Sequence, residues 1–436
     1  MESSGKSEKA TERRESEMAG GLTGIVKSSS LNFKGVDKGS KWALPGSGGP
    51  TLVAISCFCL ESLHLDTEFN IDPFTASNFF TSVANQYLPH PYHNALHAAD
   101  VTHAMFYFLT KGGLGSKLLK LHGLASLVAA AVHDLGHLGV NNKFLIDTSH
   151  PVALTYNDKS VQENMHVARA FDLMTNPKRN ILKNFDGNDR STVSSLWKVR
   201  RFMIGLVLAT DNAQHMKYLN KGEALAEERQ DNWDLINNED DSLLVLQLIL
   251  HAADISNPAK EWNLYMNWTE RVSEEFFAQV RGYPTVLCGV ALLMHVCFVD
   301  TLEISHWRTV LQGDRERQEG LPVPKINDRR SPIPLPQMQA GFIVGLVQPL
   351  YKLINAMPFI DISRPWDQLN TNLTKWQNVM AREKAKAENG SSSPQPPAAS
   401  PQRAVPPIKE EAAGEEEGEG DETNDSVGSG GEETKE

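Results

Sequence analysis

The sequence predicts an all-α protein built around one compact body of many helices. Apolar residues recur at helical spacing, as in 118–132 and 243–250, and no comparable stretch alternates with period two. Turn residues such as Gly112-Gly113 and Asn257-Pro258 separate segments of helical length. Long apolar helices need a common core, so a compact multi-helix body is favoured over a solenoid.

The composition changes sharply at both ends of the chain. Residues 1–49 are rich in Ser, Gly, Lys and Glu, and residues 386–436 are rich in Pro and Ser and then in Glu and Gly. Such segments cannot bury enough apolar surface to offset the loss of chain entropy on folding. We therefore predict a folded domain over 50–385 between disordered termini.

The charge of the chain is concentrated in its tail. The net charge is -12, and most of the acidic excess lies in 410–436. The remaining body is close to neutral and has no broad basic field, which argues against nucleic-acid binding. The acidic tail is interpreted as a solvated segment that keeps the protein soluble, and the alternative is binding to a basic partner.

The sequence predicts a cytoplasmic protein without an integral membrane segment. Its first residues, M-E-S-S-G-K-S-E-K, lack the apolar stretch of a secretory signal. The apolar runs 52–60 and 286–299 are shorter than the roughly 20 residues that a membrane-spanning helix needs. No C-x-x-C pair occurs among the cysteines, which argues against a disulfide framework or a cysteine zinc site. They are Cys57, Cys59, Cys288 and Cys297.

Histidine and aspartate occur at the predicted ends of helices. His93 and His97 are four residues apart in a helix that we expect to begin after Pro91, so both should lie on one helix face. Taken alone, this spacing favours helix-start histidines without a ligand role. His133 and Asp134 follow a buried apolar helix directly, at a point where an imidazole and a carboxylate can meet one cation.

Asp254 ends a second apolar helix, three residues after His251. A carboxylate that follows a run of buried leucines costs several kcal/mol unless it is paired or bound to metal. The equally favoured alternative is an Asp that caps the turn at 256–258.

Four of these residues together form a ligand set suited to zinc or a related divalent ion. Together with His93 as an acid, these are the groups that metal-assisted hydrolysis of a phosphoester requires. The four are His97, His133, Asp134 and Asp254.

The residues resemble one family in several ordered motifs spanning roughly 57–382: the class I 3′,5′-cyclic nucleotide phosphodiesterases of the HD superfamily. The motifs are Y-H-N-A-L-H-A-A-D-V at 92–101, H-D-L-G-H-L-G-V-N-N-K-F-L at 133–145, A-L-T-Y-N-D-K-S-V-Q-E-N at 153–164, V-L-A-T-D at 207–211, H-A-A-D-I-S-N-P at 251–258, E-E-F-F at 274–277 and Q-A-G-F at 339–342.

The resemblance implies a two-metal catalytic centre. The four residues above would hold a tightly bound Zn²⁺, and Asp134 would bridge to a second ion, Mg²⁺ or Mn²⁺. His93 would be the general acid that protonates the O3′ leaving group, and Glu275 would orient it. His137 and Glu163 would orient waters and ligands, and His166 would lie near the phosphate.

The resemblance also implies a pocket for the nucleotide. Gln339 would bind the purine through its amide, and Phe342 and Val272 would clamp the base, with ordinary core packing as the alternative for these two. Tyr92 and Asn257 would line the pocket. Because Asn257 is followed by proline, as is usual in cAMP-selective members, cAMP is favoured and cGMP is allowed.

The sequence departs from the family in the motif that follows Asp134 and in one segment after Glu275. The family pattern H-D-x-D-H-P-G has Gly136 and Leu138 in place of Asp and Pro, and Met165 replaces the first histidine of a pair. Residues 280–312 interrupt a run that family members have without a break. This insertion is interpreted either as an intron read through in frame or as an extra helix that packs on the surface or covers the entrance of the pocket.

The leading hypothesis is hydrolysis of cyclic nucleotides to 5′-monophosphates. One alternative is an HD-superfamily phosphohydrolase that acts on non-cyclic nucleotides, against which Gln339 and Phe342 argue. Another is a catalytically impaired homologue or misspliced product that binds nucleotide or partners because of the segment 280–312.

Overall fold

The computed structural model describes the main part of the predicted folded domain. The described residues are 51–185, 190–277, 316–317, 319–325, 328 and 333–390. The predicted disordered segment 1–49, the insertion 280–312 and the tail beyond 390 lie outside them. The described residues as far as Ala385 belong to one compact unit, and a second unit begins at Lys386. Of the second unit, the structure describes only the end of the last helix, to Gly390.

Within these described ranges the secondary structure is helical and contains no β-strand, which confirms the all-α prediction. The helices are α1 (Thr51–Ser62), α2 (Leu65–Glu68), α3 (Pro73–Gln86), α4 (Ala95–Leu109), α5 (Lys120–Val132), α6 (Asn142–Asp147), α7 (Pro151–Thr155), α8 (Val161–Met174), α9 (Arg190–Leu208), α10 (His215–Arg229), α11 (Glu239–Asp254), α12 (Trp262–Phe277), α13 (Leu335–Phe342), α14 (Gln348–Asn355) and α15 (Ser363–Gly390). A π-helical turn, Ile343–Val347, joins α13 to α14.

Helix α5 lies at the centre of the core. Every residue from Leu121 to Val132 is buried, and the helix packs against α1, α4 and α9. A helix that is apolar on all sides is stable only when other elements surround it, which explains this position. The residues that follow it, His133 and Asp134, are therefore presented from the middle of the protein.

The start of α4 differs from the sequence prediction. The helix begins at Ala95, and Asn94 is its N-cap: the Asn94 side-chain oxygen accepts hydrogen bonds from the backbone N–H groups of Leu96 and His97. An Asn cap satisfies these donors and stops the helix from extending backwards. The prediction that His93 and His97 share a helix face is therefore wrong, because His93 precedes the helix.

Three helix ends converge on one region of the body. The pairs α4–α5, α4–α11 and α5–α11 are all in contact. The first turn of α4 carries His97, the residues after α5 are His133 and Asp134, and α11 ends at Asp254. Residues far apart in sequence are in this way brought to a single site.

Across the part of the chain that the structure describes, no helix is both long enough and apolar enough to cross a membrane. Cys57 and Cys59 are buried free thiols in α1, and the other two cysteines lie outside the described residues.

Candidate active site

The four residues proposed as metal ligands lie together. His97 Nε2 is 3.1 Å from Asp254 Oδ1 and 3.6 Å from Asp134 Oδ2. His133 Nε2 is 3.2 Å from Asp134 Oδ2 and 3.4 Å from Asp254 Oδ1. One potential ligand atom from each residue lies within 4.8 Å of all the others, so the four could hold one metal ion.

The hydrogen bonding of His133 supports a cation site. Its Nδ1 is 2.9 Å from the carbonyl oxygen of Ala130, to which it donates a hydrogen bond. In the neutral ring this leaves a lone pair on Nε2, which is buried without a hydrogen-bond partner and faces the two carboxylates. Two neutral imidazole nitrogens and two carboxylate oxygens are donors that zinc accepts in proteins. The chemistry of the donor set therefore fits a divalent cation.

The electrostatic field at the cluster is strongly negative. Burial alone lowers the pKa of His133, but the charges of Asp134 and Asp254 raise it well above its usual value. The pKa of Asp134 is lowered far below its usual range, because the neighbouring imidazoles outweigh the effect of burial. The same negative charges attract a metal ion, and binding through His133 Nε2 requires the neutral ring.

His93 and Glu275 form a buried pair beside the metal cluster. His93 Nδ1 is 2.5 Å from Glu275 Oε1, while Glu275 Oε2 accepts the backbone N–H groups of Tyr92 at 2.8 Å and of His93 at 2.9 Å. One carboxylate thus fixes both the ring and the main chain of His93. The second ring nitrogen of His93, Nε2, is left to act on a ligand.

Glu275 also controls the charge of His93. Burial lowers the pKa of His93, but the charge of Glu275 and the hydrogen bond to it raise the pKa to about 9. The pKa of Glu275 is correspondingly lowered, because the charge on His93 outweighs burial. His93 is therefore protonated at neutral pH, as a general acid must be.

Of the three residues expected to orient waters and ligands, only His137 contacts this pair. The His137 ring stacks on the His93 ring, with 3.9 Å between centroids. His166 Nδ1 is 2.9 Å from the Leu135 carbonyl oxygen, and its Nε2 is 3.8 Å from Asp134 Oδ1. Glu163 accepts a hydrogen bond from Asn142 at 2.8 Å.

The environment of Glu163 is unusual for a carboxylate. Burial, followed by the charge of Asp211, raises the pKa of Glu163 to about 7. Asp211 accepts a hydrogen bond from Ser160 at 2.7 Å, just before α8 begins. A further cation near these groups would relieve their mutual repulsion.

Two hydrogen-bonded groups contain three of the residues expected to line the nucleotide pocket. The Asn257 side-chain amide donates to the Tyr92 hydroxyl at 2.6 Å. The Tyr265 hydroxyl donates to Gln339 Oε1 at 2.7 Å and accepts from Trp376 Nε1 at 3.1 Å. The buried Gln339 amide is thereby fixed in one orientation, with its N–H₂ group left to donate.

The two residues of the predicted base clamp are accessible to solvent only in part. Val272 on α12 is half-buried, and Phe342 at the end of α13 is half-buried against the core. Their action as a clamp stays a prediction.

Several residues of the site were missed by sequence reasoning. Asn94 carries a signal that could have been used, because Asn followed by an apolar helical run marks an N-cap. Tyr265 and Trp376 carry none, since they reach Gln339 only through tertiary packing. Asp211 lies in a motif that carried the resemblance, but no role was assigned to it.

Two buried histidines and two partly buried aspartates lie beside a histidine that is hydrogen-bonded to a carboxylate. In an all-α protein this arrangement is a candidate centre for metal-assisted hydrolysis. The family model of the 3′5′-cyclic nucleotide phosphodiesterases matches residues 92–285 and 307–369, and the chain belongs to that family. The interruption of this match lies inside the segment 280–312.

Curated relatives agree with this assignment. The chain is 32% identical over 334 residues to "3′,5′-cyclic-AMP phosphodiesterase, isoform F" of Drosophila melanogaster, covering 76% of this chain and 44% of the relative. It is 32% identical over 355 residues to "3′,5′-cyclic-AMP phosphodiesterase 4C" of Rattus norvegicus, covering 79% and 59%. The chain thus spans about half the length of these relatives.

Solved structures show the same fold. The phosphodiesterase domain of the RhoPDE fusion protein from the choanoflagellate Salpingoeca rosetta has a TM-score of 0.63 and 27% identity, with 79% of this chain and 96% of that chain covered. LmjPDEB1, solved in complex with IBMX, has a TM-score of 0.62 and 26% identity, covering 76% and 87%.

Proposed function

We propose that the protein hydrolyses 3′,5′-cyclic nucleotides to 5′-monophosphates, with cAMP preferred over cGMP. The observation that carries the proposal is the position of the His93–Glu275 pair beside the cluster of His97, His133, Asp134 and Asp254. Family membership and the names of the relatives support the same activity.

The four-residue cluster would hold the first cation, proposed as Zn²⁺, and Asp134 would reach a second, proposed as Mg²⁺ or Mn²⁺. Divalent cations in such a site neutralise charge on the phosphate oxygens and activate water. Glu163, His137 and His166 would orient the surrounding water. The cytoplasm, where cyclic nucleotides act as signals, is the proposed location.

The residues of the chain account for the proton transfers. Glu275 accepts a hydrogen bond from the Nδ1–H group of His93, which leaves the Nε2–H group to face the substrate. As the oxygen of water bonds to phosphorus, the P–O3′ bond breaks and His93 Nε2 gives its proton to O3′. The proton released by the added water restores His93. Cleavage at O3′ leaves the phosphate on the 5′ oxygen.

The preference for cAMP rests on the nucleotide pocket. Tyr265 holds Gln339 so that its N–H₂ group can donate to an acceptor nitrogen of the purine, while Oε1 keeps a lone pair for the adenine amino group. Asn257, held against Tyr92, adds a second polar wall. Phe342 and Val272 would pack on the two faces of the base.

The test is hydrolysis of cAMP and of cGMP by the purified chain with Mg²⁺ present. We expect turnover of both nucleotides with a higher kcat/KM for cAMP, and loss of turnover in Asp254→Ala. A chain lacking 280–312 is assayed beside the full chain. Activity in the shortened chain alone would favour an impaired, misspliced product, whereas no activity in either chain would reject the proposal.

A further inference from the structure

The loop Leu135–Val140 sets the position of a catalytic-site ring. It follows α5 and contains two glycines with positive φ, Gly136 at 76° and Gly139 at 69°. It also carries His137, whose ring stacks on His93. Any displacement of this loop therefore moves the ring against which His93 is held.

Gln162 makes two hydrogen bonds to this loop, at and near the position where the family pattern has proline. Where the family pattern has proline, Leu138 has a free backbone N–H and an unfixed φ, both of which a proline ring removes. The Leu138 N–H donates to Gln162 Oε1 at 2.9 Å, and Gln162 Nε2 donates to the Val140 carbonyl oxygen at 2.8 Å. Gln162 is 2% exposed, so these bonds are shielded from water.

His90 links the middle of the loop to the segment that carries His93. Its Nε2 donates to the His137 carbonyl oxygen at 2.9 Å. Its own carbonyl oxygen accepts a hydrogen bond from the Asn94 side chain at 2.7 Å. The ring lies over Gly139: a Cβ atom at that glycine would approach His90 Cε1 to 2.6 Å.

Arg169 fills the space above the other glycine. Its Nη1 donates to the Gly136 carbonyl oxygen at 3.5 Å, and a Cβ atom at Gly136 would lie 1.8 Å from that nitrogen. The loop thus has a side chain against each of the two positions at which its sequence departs from the family pattern.

We propose that Gln162 and His90 are positioning residues, which hold His137 against His93 through the loop Leu135–Val140 in place of the rigidity that a proline at 138 supplies. Neither touches the reacting atoms. The proposal rests on the proposed function for its kinetic consequence. Its structural basis, the Gln162–Leu138 hydrogen bond, can be measured without turnover.

The kinetic test is a double-mutant cycle between Gln162→Ala and Leu138→Pro. Displacement of reacting groups by about 1 Å costs about 100-fold in rate. In the native loop we expect Gln162→Ala to lower kcat by about 10- to 100-fold and to change KM by less than about 2-fold. In the Leu138→Pro background the Leu138 N–H is absent, and Gln162 keeps only its Nε2 contacts with the Val140 carbonyl oxygen at 2.8 Å and with His137 Nε2 at 3.3 Å. There the same change should cost at least about 3-fold less than in the native loop. Additive effects of the two substitutions, or an unchanged kcat in Gln162→Ala, would overturn the proposal.

His90 is tested with two variants. His90→Phe keeps the ring but removes the donor, and His90→Gln keeps an N–H donor. We expect His90→Phe to have a lower kcat than the native protein, and His90→Gln to have a kcat closer to the native value. Equal losses in both would reject the positioning role.

The control for Gln162→Ala is Gln377→Ala, which removes an exposed glutamine of α15.

Amide hydrogen exchange provides the readout that does not depend on activity. In Gln162→Ala the Leu138 amide should exchange about 10-fold faster or more, while amides in the centre of α5 keep their native rates. Unchanged exchange at Leu138 would overturn the proposal. Inactivity of the wild-type chain would reject the proposed function instead, and the exchange rates would then decide the positioning contacts alone.

Discussion

Replacing Glu275 by Gln should lower the pH at which His93 loses its proton, and with it the pH at which activity is lost. The glutamine oxygen can still accept the backbone N–H groups of Tyr92 and His93. Its N–H₂ group then faces His93 Nδ1 and donates to it, which requires the neutral ring. The negative charge that raises the pKa of His93 to about 9 is lost. Burial then lowers the pKa of His93 towards its ordinary value of about 6.5, against the smaller effects of the Asp134 and Asp254 charges.

The size of the effect follows from the protonated fraction of His93. At pH 8 a group with pKa about 9 is about 90% protonated, whereas one with pKa about 6.5 is about 3% protonated. The native protein therefore loses activity only as pH rises through about 9, and Glu275→Gln loses it as pH rises through about 6.5. We expect kcat of the variant to be about 30-fold lower at pH 8 and to recover most of this loss at pH 6.

The assay is kcat for cAMP hydrolysis between pH 6 and pH 9 at saturating metal. Glu270→Gln is the matched control, because Glu270 is exposed on the same helix. A pH profile of Glu275→Gln that is parallel to the native one would refute this role for Glu275.

The remaining predictions concern the cation, the nucleotide pocket and the core. Asp254→Ala removes one of the two carboxylates of the cluster, so we expect loss of bound metal by elemental analysis and a fall in kcat of at least about 1,000-fold; retention of a full equivalent of metal would contradict the ligand role. Tyr265→Phe removes the hydroxyl that orients Gln339, so kcat/KM for cAMP should fall about 10-fold and the cAMP-to-cGMP preference should shrink; an unchanged ratio would reject the pocket assignment. His122 is fully buried with neither ring nitrogen hydrogen-bonded, and burial lowers its pKa to about 4. Because its folded-state pKa lies below the unfolded value of about 6.5, His122 contributes to a loss of stability as pH falls from 6.5 towards 4, as do His166 and His251. His122→Met should make this loss smaller and raise the free energy of unfolding by about 1 kcal/mol at pH 7, measured by urea unfolding; a less stable variant would contradict this prediction.

Much of the site could be predicted because its residues stand at recognisable places in the local sequence pattern. His133 and Asp134 follow a run of apolar residues, and Asp254 ends another, so polar groups at the ends of buried helices already marked a special position. The helix class was equally readable from apolar spacing.

What could not be predicted depends on tertiary packing or on competition at a helix end. Two successive hydrogen bonds, from Trp376 to Tyr265 and from Tyr265 to Gln339, join three helices that are far apart in sequence. The restraint of the loop by Gln162 and His90 likewise depends on side chains from two other elements. The start of α4 was placed too early because the Asn94 side chain competes successfully for the first helical N–H groups.

The central claim is tested most directly by hydrolysis of cAMP in ¹⁸O-labelled water with Mg²⁺ present. The account predicts 5′-AMP as the product, with one ¹⁸O atom in its phosphate, and no product from Asp254→Ala or after removal of metal by a chelator. Formation of 3′-AMP, label outside the phosphate, or turnover that survives both treatments would contradict it.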